Sequence, residues 1–393
     1  MSYPINRRRF LVTTAAAGTA AATVQLAPGQ AAAQDGELPD FASFKTPDDV
    51  MVWTGNTIET ERSAQGGSIT GLSSLFVRNN LPAPPQSITD DPEAWVIEVD
   101  GVANPGSMTL GDLKRLGVIT VSSVLQCSGN GRAFFGHETS GTHWSVGAAG
   151  NVVWTGVPLS AVIAAMGGPA DGANFITGTG GEELPAGLDP NTIMVERSIP
   201  IGALDQAMIA FEVNGEPLPV AHGGPARMVT PGYFGVNNVK YVKKIALTAE
   251  ESQAKIQQSG YRVREVGAGG APDQPSMYEM VVKSWITTPL VDAKSGKILI
   301  EGVAMGGVST VTGVEVSTDG GGTWQAADFT GPDMGPFSWR PFALIADMPA
   351  GQYELASRAT NDAGDTQPED FPPNHRGYGH NGWRDHAVLV TVV

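Results

Sequence analysis

The chain has 393 residues and a net charge of −16, with 24 Lys+Arg against 40 Asp+Glu. That balance argues against nucleic acid and anionic membrane as partners and fits a basic protein partner or plain solubility. One cysteine, Cys127, excludes an internal disulfide and leaves no cluster for zinc, iron–sulfur or c-type haem.

Residues 1–33 read as an export signal. Arg7-Arg8-Arg9-Phe10-Leu11 is a twin-arginine start, an uncharged Ala/Thr/Gly stretch follows, and Ala31-Ala32-Ala33 offers a small-residue cleavage site. The apolar stretch is shorter than the roughly 20 residues that a membrane span needs. Twin-arginine export carries folded proteins, so the expectation is a periplasmic protein loaded with a cofactor before transport. Losing Arg7, Arg8 and Arg9 with the signal takes the net charge from −16 to −19.

Residues 34 to about 90 lack periodicity and contain Pro39, Pro47, Pro82, Pro84 and Pro85, the pattern of an arm packed over a larger body. Residues 95–99 alternate as a strand and end on an Asp100-Gly101 turn. Residues 109–116 predict a short capped helix before a strand over 119–125. Residues 158–166 predict another helix, with Pro158 at its start and Gly167-Gly168 at its end. Residues 209–247 hold short strands and glycine turns, so the central body is mixed α+β. Residues 256–277 read as a polar linker. Beyond it, six β runs at 281–285, 298–303, 311–317, 338–344, 353–359 and 387–393 predict an immunoglobulin-like antiparallel sandwich over 278–393. Asp319-Gly320-Gly321-Gly322-Thr323-Trp324 marks a hairpin with Trp324 expected to be buried.

Cys127 lies in Leu125-Gln126-Cys127-Ser128-Gly129-Asn130-Gly131-Arg132. A lone cysteine is most often a small buried hydrophobe. Here Gly129 and Gly131 allow close backbone approach, Asn130 tolerates unusual dihedrals, and Arg132 favours a thiolate. This is the setting of a ligand rather than of core filler.

Several stretches resemble the sulfite oxidase family of molybdopterin enzymes, in the family's order and over nearly all of the mature length. They are Phe76-Val77-Arg78-Asn79-Asn80-Leu81-Pro82, the Cys127 segment, Gly141-Thr142-His143-Trp144, and Glu212-Val213-Asn214-Gly215-Glu216-Pro217-Leu218-Pro219. His222-Gly223-Gly224-Pro225-Ala226-Arg227, Pro231-Gly232-Tyr233-Phe234-Gly235-Val236-Asn237-Asn238-Val239-Lys240 and the Asp319 hairpin complete the series. The resemblance implies an α+β molybdopterin-binding domain of sulfite oxidase type over 34–255, arm included, followed by the sandwich as a dimerisation domain. It implies molybdenum-molybdopterin as cofactor, with Cys127 as the single protein ligand to the metal beside the dithiolene sulfurs. A soft, deprotonated thiolate suits that role.

The resemblance further implies that Phe76, Arg78, Asn80, His222, Arg227, Asn238, Val239 and Lys240 hold the pterin and its phosphate. Arg and Lys are the side chains that grip phosphate. Sulfite would be received by Arg78, Arg132 and Arg340, with Trp144 walling the pocket and Tyr261 donating a hydrogen bond beside the metal. Two departures stand out. Asn80 occupies a position where the animal enzymes carry histidine, and Gly131-Arg132 leaves one guanidinium where they have two.

The implied activity is a periplasmic sulfite dehydrogenase that passes electrons to an external c-type cytochrome, with no haem in this chain and a homodimer as the default. Sulfane dehydrogenase or methionine sulfoxide reduction would keep the cofactor and change the substrate. A non-catalytic exported binding protein is the rival from another class.

Overall fold

The computed structural model describes residues 37–393, so the expected export signal lies outside the described residues. Strands dominate, in five sheets, and the α-helices Leu110–Lys114, Leu159–Ala165, Pro190–Ile193 and Lys255–Gln258 are short. No helix among the described residues is long and apolar enough to cross a membrane.

The N-terminal arm is more regular than its prolines suggest. Val50–Thr54, Thr57–Thr60 and Val77–Arg78 form a small antiparallel sheet. It docks by burying Trp53, Leu75 and Phe76 against the central body, and by one buried carboxylate. Glu59 accepts hydrogen bonds from Trp53 Nε1 (2.7 Å), Ser145 N and Oγ (2.7 Å each) and Gly147 N (3.1 Å). A carboxylate removed from water needs donors in this number. Burial still pushes its pKa above the usual range.

Two five-stranded sheets make the central body. One orders Glu216–Pro217, Met208–Val213, Ala149–Pro158 and Ile119–Gln126, with Arg227–Val229 also paired to Met208–Val213. The other orders Gly106–Thr109, Val96–Asp100, Val242–Thr248, Phe175–Gly180 and Glu196–Pro200. Their shared core includes Ile97, Leu113, Val157, Ile209 and Ile245. The helix Leu110–Lys114 starts where expected, because Thr109 and Asp112 form a capping box worth about 1 kcal/mol.

The C-terminal region is a sandwich of two four-stranded antiparallel sheets. Lys283–Thr288, Gly296–Met305, Trp339–Met348 and Asp328–Phe329 face Gln325–Ala326, Val311–Ser317, Gly351–Asn361 and Val388–Val392. Between them lie Ile300, Val316, Phe342 and Leu355. The six anticipated runs correspond to the six long strands; two-residue strands carry no period to read. The strand Gly296–Met305 alternates at first and is then buried on both faces. Ala304 enters the sandwich core while Val303 and Met305 pack on Val124 and Phe234 of the central body. Trp324 is half-buried rather than buried, because its hairpin lies at the edge of the sheet. Its ring meets Trp383 edge-on at 4.9 Å and carries the Arg358 guanidinium at 4.3 Å.

The polar segment 256–277 is fastened to the body by buried arginines. Arg262 donates to Gln257 O and Gln274 O (2.9 Å each) and pairs with Glu251. Arg197 donates to Asn237 Oδ1 (3.0 Å), Ile256 O (2.9 Å) and Ser276 Oγ (2.9 Å). Polarity in the sequence here serves one buried ion pair and a set of buried hydrogen bonds.

Arg62 joins the arm to the sandwich, donating to Ile286 O (2.6 Å) and His386 O (2.7 Å). Arg62→Ala should lower stability by about 2–4 kcal/mol, because both carbonyls lose a charged donor in a dry interface. Urea unfolding midpoints measure this, and a change within experimental error would show that the clamp is idle.

Candidate active site

The strand Ile119–Gln126 delivers Cys127 to the end of its sheet, and the following loop is tied back at nearly every residue. Cys127 N donates to Ala148 O (2.9 Å), Asn130 N to Cys127 O (2.9 Å), and Gly131 N to Ser145 O (2.6 Å). Asn130 Oδ1 accepts from Ala148 N (3.2 Å). Gly131 has φ 95°, a left-handed conformation that glycine adopts freely. A Cβ on Gly129 would lie 2.4 Å from the Arg132 guanidinium, so that glycine makes room for the charge. The thiol is 9% exposed and free.

One pocket collects most of the expected site. Phe76, Arg78, Asn80, Cys127, His222, Arg227, Asn238, Val239, Lys240 and Tyr261 all line it, and it opens to solvent. Arg227 donates to Asn238 O and His222 O (3.0 Å each), which fixes the guanidinium against the two segments that flank it. Lys240 reaches Ala221 O (2.6 Å) and Asn79 Oδ1 (2.5 Å). Arg78 donates to Asn80 Oδ1 (2.7 Å), so the asparagine steadies the arginine.

Burial dominates the electrostatics of this wall. It pushes Lys240 well below its ordinary range, with Arg227 repelling it further and Glu182 opposing. Arg227 is pushed down to about 10 by burial. His222 is held neutral by burial and by Lys45, Lys240 and Arg227. Such a wall favours an anion, which would restore the positive charge of Lys240.

A second cluster lies within electrostatic reach of Cys127 and meets the pocket at Tyr261. Arg132 Nε donates to Arg376 O and Nη1 to Thr142 O (2.8 Å each), and its guanidinium lies 5.4 Å over the Tyr378 ring. The Tyr261 and Tyr378 rings stack at 5.3 Å, and Arg376 lies 5.9 Å over Tyr378. Arg132 and Tyr378 both feel the charge at Cys127. Tyr261 has φ 49°, costing on the order of 1 kcal/mol for a residue with a Cβ. Met277 N, donating to Tyr261 O (2.9 Å), helps to hold it there.

Two expected residues lie elsewhere. Arg340 is on the strand Trp339–Met348, where alternation turns Trp339 toward the central body and Arg340 away. Its guanidinium stacks 3.9 Å over Phe329 in the sandwich, outside the pocket. Trp144 is fully buried behind the wall, edge-on to Phe76 (6.3 Å) and Trp53 (6.5 Å), so Phe76 and not Trp144 faces the cavity. Arg376, not anticipated, is the arginine that stands with Arg132 and Tyr378. Its signal was present in Asn374-His375-Arg376-Gly377-Tyr378-Gly379, a glycine-flanked arginine like that of the Cys127 loop. A Cβ on Gly377 would meet Arg132 Cγ at 2.9 Å. Glu182, the carboxylate on the pocket wall, sits in a glycine-rich loop without periodicity.

The residues fit a molybdopterin bearing a phosphate. Asn79 Nδ2 and Ser128 Oγ are buried on the pocket wall without a hydrogen-bond partner, which marks groups that await a polar ligand. Arg227 and Lys240 suit the phosphate, and Cys127 offers one soft sulfur to the metal.

Residues 82–256 match the family described as oxidoreductase molybdopterin binding domain, and residues 274–392 the Mo-co oxidoreductase dimerisation domain. Mitochondrial sulfite oxidase of Rattus norvegicus is 34% identical over 355 residues, covering 83% of this chain and 62% of the relative. The chain thus spans less than two thirds of that relative's length. Sulfite oxidase of Gallus gallus is 31% identical over 339 residues, covering 79% of this chain and 70% of the relative. Among solved structures, the sulfane dehydrogenase SoxCD of Paracoccus pantotrophus matches with a TM-score of 0.73 at 27% identity, covering 86% of each chain.

Burial raises the Glu182 carboxyl from 4.5 to about 7. Between those values the unfolded chain releases a proton that the folded chain keeps, so this group makes stability fall as pH rises from 4.5 to 7. Glu182→Gln should remove that slope from the cofactor-free protein, gaining on the order of 1–3 kcal/mol on wild type by pH 7. Parallel urea curves at pH 5 and 7.5 would detect it, and identical pH slopes for the two proteins would refute the assignment.

Proposed function

The chain belongs to the sulfite oxidase family of molybdopterin enzymes, and from that premise we propose that it is an exported sulfite dehydrogenase. The observation that carries this reading is the position of the sole thiol. Cys127 lines a cationic cofactor pocket and lies within electrostatic reach of Arg132, whose neighbour Arg376 gives a small anion a second guanidinium group to replace its water. Sulfite and water give sulfate, two protons and two electrons. The molybdenum centre, when bound, supplies the two-electron redox change and the oxygen transfer.

The protein's own residues do the positioning. Arg132 and Arg376 orient the anion and offset its charge, an arrangement fixed before substrate arrives because both side chains are packed against Tyr378. Tyr261 shares the pocket wall with Cys127, which supports a role for its hydroxyl as a donor toward the metal site. Phe76, backed by Trp144, keeps one wall apolar and limits water.

A periplasmic location rests on Arg7-Arg8-Arg9 and the Ala31-Ala32-Ala33 site. A c-type cytochrome acceptor draws support from the acidic net charge of −16. The homodimer rests on the match to a dimerisation domain and on Leu299 (45% exposed) and Ile345 (65% exposed), cross-strand neighbours on an open sheet face. The structural match to a sulfane dehydrogenase favours one second reading, in which sulfane sulfur replaces sulfite.

Steady-state assays with cytochrome c as acceptor should show turnover of free sulfite by the molybdenum-loaded protein. Arg376→Met should lower kcat/KM for sulfite about 10- to 100-fold, the value of one or two charged hydrogen bonds. Arg340→Met should stay within about twofold of wild type. Turnover restricted to sulfane sulfur would replace the sulfite reading, and equal losses in the two variants would undo the assignment of Arg376.

A further inference from the structure

We propose that Lys45, carried by the N-terminal arm, is a positioning residue of the cofactor pocket: it holds His222 in the Nδ1–H tautomer and so presents that N–H to the bound cofactor. The inference rests on the reading of the pocket as a molybdopterin site.

Lys45 is 4% exposed, and none of the ion pairs among the described residues includes it. Its ammonium is instead enclosed by three acceptors. It donates to Leu72 O, to Leu75 O (2.5 Å) and to His222 Nε2 (2.9 Å). Three N–H bonds meet three partners, so the direction of each hydrogen bond is fixed by stoichiometry. The two carbonyls can only accept. The third hydrogen therefore points at His222 Nε2, which must offer a lone pair.

His222 is itself 1% exposed and lines the pocket. With Lys45, Lys240 and Arg227 around it, the ring stays neutral. A neutral imidazole has one donor nitrogen and one acceptor nitrogen. With Nε2 accepting, the ring proton sits on Nδ1. Among the described residues no protein acceptor takes that proton, which leaves it for a ligand. The backbone of His222 is fixed separately, because Arg227 Nη1 donates to His222 O (3.0 Å). Phe44 holds the ring from the side, with centroids 6.2 Å apart.

The same contact links the arm to the pocket. Leu72 and Leu75 belong to the arm segment that leads into Phe76 and Arg78, both on the pocket wall. Lys45 thus ties two parts of the arm to one cofactor-facing side chain. A buried ammonium without a counter-charge is costly, and an anionic cofactor nearby relieves that cost. Burial alone brings Lys45 down to about 7, and an anionic cofactor raises it again, so the three-donor ammonium is the form that belongs to the holoprotein.

The test uses full-length holoprotein labelled with ¹⁵N-histidine, comparing wild type, Lys45→Met and Lys45→Arg, with His222→Gln to assign the signal. Long-range ¹H–¹⁵N spectra report which nitrogen carries the proton. Wild type should show His222 protonated on Nδ1. Lys45→Met should shift it to Nε2 or to a mixture and lower retained molybdopterin about tenfold after dialysis, the value of one buried hydrogen bond. Lys45→Arg, which keeps a charged donor, should preserve the tautomer and most of the cofactor. A packing role alone would change the unfolding midpoint and leave the tautomer in place. The proposal is overturned if wild-type His222 carries its proton on Nε2, or if Lys45→Met leaves it on Nδ1. Wild-type protein free of pterin would overturn the cofactor reading instead, while its spectrum would still decide the tautomer.

Discussion

Positive charge buried without equal negative charge is the constraint on which this structure turns. Arg227 and Lys240 stand buried on one pocket wall, Lys45 lies behind it, and Glu182 is the carboxylate among the lining residues. Each buried cation is disfavoured by lost hydration. The fold offsets part of this with backbone carbonyls: Asn238 O and His222 O for Arg227, Ala221 O for Lys240, Leu72 O and Leu75 O for Lys45. Carbonyl dipoles stabilise a cation without neutralising it, so the pocket remains selective for an anionic ligand. Cys127, the one thiol in the chain, stands on the wall of the same pocket.

The surrounding architecture serves to keep those groups still. Glu59 reaches from the arm to pin the backbone at Ser145 and Gly147, and that segment in turn supplies Ser145 O and Ala148 O to the Cys127 loop. Arg197 and Arg262 fasten the segment carrying Tyr261, whose positive φ needs such support. Arg62 and the Trp285–Trp339 pair lock the sandwich against the body, which sets Arg376 beside Arg132. Polar groups hidden at interfaces thus hold the site, while apolar contacts hold the sheets.

Much of this was legible in the sequence, for reasons that differ by element. The sandwich strands showed because one-sided burial imposes alternation, as in Val311–Ser317. The capping box showed because Thr109 and Asp112 have the right spacing. Cys127, His222, Arg227 and Lys240, which the sequence grouped and the fold brings to one pocket, stand in glycine-rich loops that keep their residues in recognisable order. Arg340 misled because an arginine on a strand gives no hint of its face, and the alternation set by Trp339 turns it away. Arg376 was passed over in a stretch without period. Lys45 left no local trace at all, since its partners at Leu72, Leu75 and His222 are set by tertiary packing. Trp144 was placed in the right region but one layer too far forward, because sequence does not tell a lining residue from the one behind it.

The central claim is that Cys127 is the one protein sulfur given to the metal. Molybdenum K-edge X-ray absorption on full-length protein, compared with Cys127→Ser, measures it directly. The account predicts that the sulfur count around molybdenum falls by one in the variant while the cofactor stays bound. An unchanged sulfur count, with the cofactor retained in both proteins, would contradict it.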